Sequence, residues 1–198
     1  ASTVAEVAGC SYNAAAQGLA ALASQGVLHA GEAVEEPGFR FVSRRLLASC
    51  YHEIPLDERR RLHDRAAQAS GERARDSGRL EDRVEHLLRG SDVDAAVHAA
   101  VEAAERASHV RADRRAIEYY ARAYARLPAP TDARAAPIAL ALARLFEYGG
   151  ELERAAVWYQ AVKSAADGRT GELAAQVELG LGTLALLSGE LAEAAAHA

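Results

Sequence analysis

AIEYYARAYARLP, residues 116–128, decides how the rest of the chain is read. Ala116, Tyr120 and Ala123 recur at helical spacing and so share one face of a helix. Pro128 ends that helix, because proline lacks an amide proton and its ring clashes with the preceding turn. Three tyrosines this close could form a platform for a ligand or the packed side of a helix. The pattern returns 39 residues on, where Ala155 is followed by Tyr159, and a further 39 on at Ala194. The surroundings match as well: RADRRAIEYYARA, GELERAAVWYQAV and GELAEAAAHA. A small residue where two helices cross, then a ring filling the gap one turn later, is how a helical hairpin packs on its neighbour. Ala116, Tyr120, Ala123, Ala155, Tyr159 and Ala194 are therefore expected to be packing positions. Spacing leaves Tyr119 and Tyr124 undetermined and puts Trp158 nearer the surface. Hairpins that bury their faces only against each other build a solenoid.

Composition agrees. Alanine supplies 48 of 198 residues, which suits closely approaching helices, since alanine has the best helix propensity and adds little bulk. Ala116, Tyr120, Ala123 and Pro128 fall at the spacing of the second helix of a tetratricopeptide repeat. The net charge of −5 argues against a general nucleic-acid coat. Cys10 and Cys50 stand alone, with no paired-cysteine or metal-ligand spacing, which predicts a reducing, cytoplasmic setting. No apolar run approaches a membrane span and no signal peptide opens the chain. The absence of an initiator Met and the stop within GELAEAAAHA read as a fragment of a longer protein.

The N-terminal part has a different order. Thr3-x-x-Glu6 predicts a capping box at the first helix. NAAAQGLAALASQG predicts a second helix, stopped by Gly26 in the left-handed region. VLHA and FRFV are short strand candidates joined by the acidic GEAVEEPG, and Ser43 caps a helix that Pro55 breaks. Helix, turn, helix, hairpin is the order of a winged helix-turn-helix. SGERARDSG is the best candidate for a mobile connector, although its charged centre suits a helix. The expected fold is mainly α: a partial winged helix (residues 1–54), a helical linker (55–90), then an α-α superhelix of tetratricopeptide-like repeats (91–198).

FRFVSRRLLASCYHEIPLDERRRLH and RVEHLLRGSDVDAAVHAAVEAAERA carry a wider resemblance. Together with the repeats, they resemble the winged-helix and repeat region of large STAND-type signal-transducing ATPases, the LuxR-type regulators related to the maltose-regulon activator. The resemblance covers essentially the whole chain. It implies a parent with an ATPase core, so ATP is the parent's expected cofactor. No phosphate-binding GxxxxGK[ST] loop occurs in this chain, so no cofactor is expected here. Ser43 stands where that family often has a histidine, and the first helix of the winged unit is missing.

No constellation points to catalysis or a metal. His63 and His86 fall on separate helices, His98 and His109 are eleven apart, and no HExxH accompanies them. Residues 50 and 52 diverge by about 200° on a helix, so His52 cannot activate Cys50. The arginines at 59–61 alternate with Asp57, Glu58 and Asp64, the pattern of a salt-bridged surface helix. The candidate recognition helix offers Asn13, Gln17 and Ser24 but no cation, and residues 1–39 contain no Lys or Arg. Such a surface repels phosphate, so the winged unit is expected to be an internal docking module for the ATPase domain and not a DNA reader.

The best binding surface is the groove lined by the first helix of each repeat. His98, Glu105 and His109, then Arg144, Glu147 and Tyr148, are its candidate contacts. The expected function is a non-enzymatic sensor and interaction fragment, taking a protein, peptide or small effector in that groove. Alternatives are the same module attached to a protein kinase or nucleotide cyclase, or a free-standing repeat scaffold. The leucines of ELGLGTLALLSGELAEAAAHA further predict pairing of two copies through the truncated C-terminal helices.

Overall fold

The computed structural model describes residues 1–31, 38–72, 77–165 and 171–189, with the backbone alone for 71–72, 77–80 and 188. The fold is mainly α, and the chain divides into two units, Ala1–Asp92 and Val93–Ala198.

In the first unit, α1 (Ser2–Ala8) stops at Gly9, whose φ of 69° is the left-handed conformation glycine adopts freely. Thr3 is not the cap residue of this helix. The helix begins two residues earlier than the Thr3-x-x-Glu6 pattern puts it, so Thr3 lies inside it and Ala1 occupies the cap without a side-chain bond. Helix α2 (Tyr12–Ser24) is capped by Ser11, whose Oγ accepts from the Ala14 amide at 3.2 Å. Gly26, at φ 74°, turns the chain, and the Val27 amide closes the motif on the Leu22 carbonyl. Strands β1 (Leu28–Ala30) and β2 (Phe39–Phe41) then pair antiparallel, Leu28 opposite Phe41. The glutamates expected in the wing, Glu32, Glu35 and Glu36, lie outside the described residues.

Ser43 caps α3 (Arg44–Glu53) by accepting from the Arg45 and Leu46 amides. Ile54 is extended before Pro55, as the proline ring requires of its predecessor. Helices α4 (Leu56–Glu72) and α5 (Ser77–Arg89) pack together, and α1 packs on α4. Their shared core is Ala66, Ala67, Ala69, Val84, Leu87 and Leu88. Most of the expected connector is therefore helix: α4 runs through Ser70 and Gly71, α5 opens at Ser77, and residues 73–76 lie outside the description.

The second unit is an α-α superhelix of tetratricopeptide-like hairpins. Helix α6 (Val93–His109) pairs with α7 (Asp113–Arg126), and α8 (Ala135–Tyr148) with α9 (Leu152–Ala165). Helix α10 (Glu172–Ser188) packs on α9 and touches α8, and α7 packs on α8. Ala96, Ala100 and Ala104 on α6, like Ala116 and Ala123 on α7, are completely buried. Without bulk beyond Cβ, they let the helix axes approach closely. Leu127 is extended ahead of Pro128, which closes the first hairpin. Ala155 is completely buried and the rings of Tyr120 and Tyr159 nearly so. Ala194 lies outside the described residues.

Candidate binding cleft

One side of α6 carries Asp94, Val97, His98, Val101 and Glu105, three or four residues apart and so in line along the helix. The first turns of α8 bring Pro137, Ile138 and Ala141 opposite them. Proline is tolerated there because an early amide of a helix has no partner within the helix. The two helices enclose a cleft of about 470 Å³, with Tyr120 of α7 also on its wall. Its surface is apolar except at named points.

At one end Arg134 donates to Asp94 of α6 at 2.7 Å and to Asp132 through Nε and Nη2 at 2.9 and 2.8 Å. These bonds hold the Asp132 carboxyl down at about 2. They tie the turn before α8 to the start of α6. Farther along stand the Glu105 carboxylate and the Tyr120 hydroxyl. Burial first, and then the Glu105 charge, push the Tyr120 hydroxyl above its ordinary value of 10. The Tyr120 ring packs in the hairpin, and the residue also borders the cleft.

Of the six expected groove contacts, His98 and Glu105 line this cleft. The other four do not line it. His109 donates Nδ1–H to the Glu105 carbonyl at 2.8 Å, closing the end of its own helix. Glu147 accepts the Tyr159 hydroxyl at 2.5 Å, and burial followed by this bond pushes that hydroxyl well up. Tyr148 lies beneath the Arg111 guanidinium, 4.3 Å from the ring centroid. Arg144 is exposed on α8. Position on a first helix was legible from the sequence, but the rotation of α8 about its own axis was not.

A second depression, between α7 and the end of α8, is lined by Ile117, Leu145 and Phe146 among charged residues. There Arg154 lies 4.0 Å over the Phe146 ring and pairs with Glu151 at 2.7 Å.

Sequence reasoning missed a chain of polar contacts in the first unit. Tyr51 Oη of α3 hydrogen-bonds His63 Nε2 of α4 at 2.9 Å, and His63 Nδ1 meets His86 Nδ1 of α5 at 3.0 Å. Arg59 stacks over the Tyr51 ring at 5.1 Å. Burial, and then the charge of His86, push His63 below its ordinary 6.5, and burial, with a smaller push from Arg89, does the same at His86. Only the register of the α4–α5 hairpin brings residues 63 and 86 together, and nothing in local spacing encodes it. Among the described residues no cluster of three or more His, Cys, Asp or Glu side chains is arranged to hold a metal ion. No helix of the described residues is long and apolar enough to cross a membrane.

No family pattern matches the chain, and no curated protein matches it by sequence. Among solved structures it is similar to BtubC (BKLC) from P. vanneervenii, with a TM-score of 0.51 and 20% identity, over 80% of this chain. The match spans 63% of that protein's chain. At this identity the likeness is one of fold.

Proposed function

We propose that the chain is a non-catalytic sensor and protein-interaction portion of a large ATP-dependent transcriptional regulator of the LuxR type. The observation that carries this reading is the cleft between α6 and α8, apolar along its length and marked by a few polar groups. Such a lining suits binding and orientation of a partner. Neither a nucleophile–base pair nor a metal-holding cluster stands beside it among the described residues. The winged unit serves as a docking module: Asn13, Gln17 and Ser24 of α2 are exposed and no Lys or Arg precedes Arg40. ATP belongs to the parent's separate core. The exposed, unpaired Cys10 and Cys50 fit the reducing conditions of a cytoplasm.

Two measurements test the reading. Fluorescence anisotropy with duplex DNA at low salt is expected to show no saturable binding tighter than the micromolar range of non-specific contact. Tight, sequence-dependent binding would overturn the docking role. The complete open reading frame is expected to encode a phosphate-binding loop before this region and a helix-turn-helix after it. A kinase or cyclase domain in their place would overturn the assignment to a transcriptional regulator.

A further inference from the structure

The polar groups of the α6–α8 cleft are unequally matched. Its one cation among the lining residues, Arg134, is held by two carboxylates, Asp94 and Asp132. The Glu105 carboxylate and the Tyr120 hydroxyl, in contrast, have no hydrogen-bond or ion-pair partner among the described residues. The cleft therefore offers an unspent negative charge and an unspent hydroxyl beside the apolar surface of Val101, Pro137 and Ala141. That combination is complementary to a cation attached to something apolar.

We propose that the cleft receives a segment of a partner polypeptide in which a lysine neighbours an apolar side chain. The ammonium group meets Glu105 and Tyr120, and the apolar side chain covers Val101, Pro137 and Ala141. This rests on the binding role proposed for the groove and specifies its ligand. A lysine ammonium has three donors on a compact head, so it can serve the carboxylate and the phenol oxygen at once. A polypeptide is favoured over a free amine by the shape of the rim. Asp94, His98, Glu105 and Pro137 are all exposed, so the cleft opens along its length and admits side chains from a strand that itself stays outside. Its volume of about 470 Å³ is that of a ligand site and not of a packing defect.

The test uses the full chain and three capped, fluorescein-labelled peptides in a Ser/Gly background, carrying Leu-Ser-Lys, Leu-Ser-Glu or Ser-Ser-Lys at the centre. Anisotropy gives the affinity, and amide shifts of the ¹⁵N-labelled protein locate the site. The Leu-Ser-Lys peptide is expected to bind about fivefold tighter than either of the others, the reach of one half-exposed ion pair with a hydrogen bond. Glu105→Gln should abolish the preference for Lys over Glu, and Glu105→Lys should invert it. Tyr120→Phe should weaken the lysine peptide alone. Glu105 is exposed, so these charge changes leave the fold intact, which circular dichroism checks. Equal affinity for the Lys and Glu peptides, with shifts on α6 and α8, would overturn the charge assignment and leave the groove reading standing. No shift on α6 or α8 with any peptide would overturn both. Competition by hexylamine at the peptide's own concentration would overturn the polypeptide occupant in favour of a small amine.

Discussion

Gly180→Ala pits helix propensity against tertiary packing. In a free helix interior, alanine is better than glycine by about 1 kcal/mol. Gly180 lies within α10, but a Cβ built there would sit 2.6 Å from Tyr159 Oη and closer still to Cζ. The ring must move, and it is fixed from the other side by the 2.5 Å bond to Glu147. Overpacking costs about 1–3 kcal/mol, and breaking that hydrogen bond costs about 1 kcal/mol more. Set against the propensity gain, the net loss is about 2 kcal/mol. For a unit of this size that lowers the melting temperature by about 10 °C. Trp158 is the chain's one tryptophan, and its ring meets Tyr124 edge-on at 5.0 Å, so its emission follows the α7–α9 packing. Gly18 of α2 is the control: nothing lies within 4 Å of its added Cβ. Gly18→Ala should therefore stabilise the first unit, by at most about 1 kcal/mol, in thermal circular dichroism. An unchanged or raised Trp158 transition in Gly180→Ala would refute the crossing of α9 and α10 at Tyr159.

Two further outcomes are expected. The folded state holds His63 and His86 below their ordinary value, so at mildly acid pH the unfolded chain binds more protons than the native one. Their contribution is complete above about pH 6.5 and is lost as the pH falls through the lowered native values. Melting temperature should drop over that window in the native chain and less in His86→Gln; equal slopes would refute the coupling. Arg59 and Arg89 reinforce this direction at His63, while Asp64 opposes it; Asp82 and Glu85 oppose it at His86. Leu179, Leu186 and Leu187 stand exposed on α10, so light scattering should show concentration-dependent self-association that Leu186→Glu reduces. A strict monomer at high concentration would refute it.

The parts of the fold legible in the sequence are those decided by short-range chemistry or by recurrence. Ser43 as a cap, Gly26 as a left-handed stop and Pro55 as a break each follow from one residue's geometry. The 39-residue recurrence marked Ala116 and Ala155, and the tetratricopeptide spacing marked Ala123, all three completely buried. Thr3 misled because a capping box is a four-residue pattern that cannot say where the helix starts. Of SGERARDSG, Ser70 and Gly71 belong to α4 and Ser77 to α5, and its charged centre, residues 73–76, lies outside the described residues. The cleft was half legible. A residue's place on α6 follows from periodicity, which gave His98 and Glu105. Which side of α8 faces α6 depends on how two hairpins pack, so the cleft is lined by Arg134, Pro137 and Ile138 and not by Arg144, Glu147 or Tyr148.

The two repeats also explain why one tyrosine hydroxyl is left without a hydrogen-bond partner among the described residues while its counterpart is bonded. Tyr120 and Tyr159 occupy the same repeat position, 39 residues apart, and both rings are core. Tyr159 spends its hydroxyl on Glu147, twelve residues earlier on the first helix of its own hairpin. The residue twelve before Tyr120 is Ser108, likewise on the first helix of its hairpin, and its side chain is two carbons shorter than glutamate. It makes no bond to Tyr120, whose hydroxyl has no partner among the described residues. A scaffold position filled by the same amino acid is thus closed in one hairpin and open in the next. The difference comes from its neighbour on the facing helix, not from the tyrosine. The carboxylate that does approach the Tyr120 hydroxyl is Glu105, on the cleft wall, so in this hairpin the acidic partner stands where a ligand can share it.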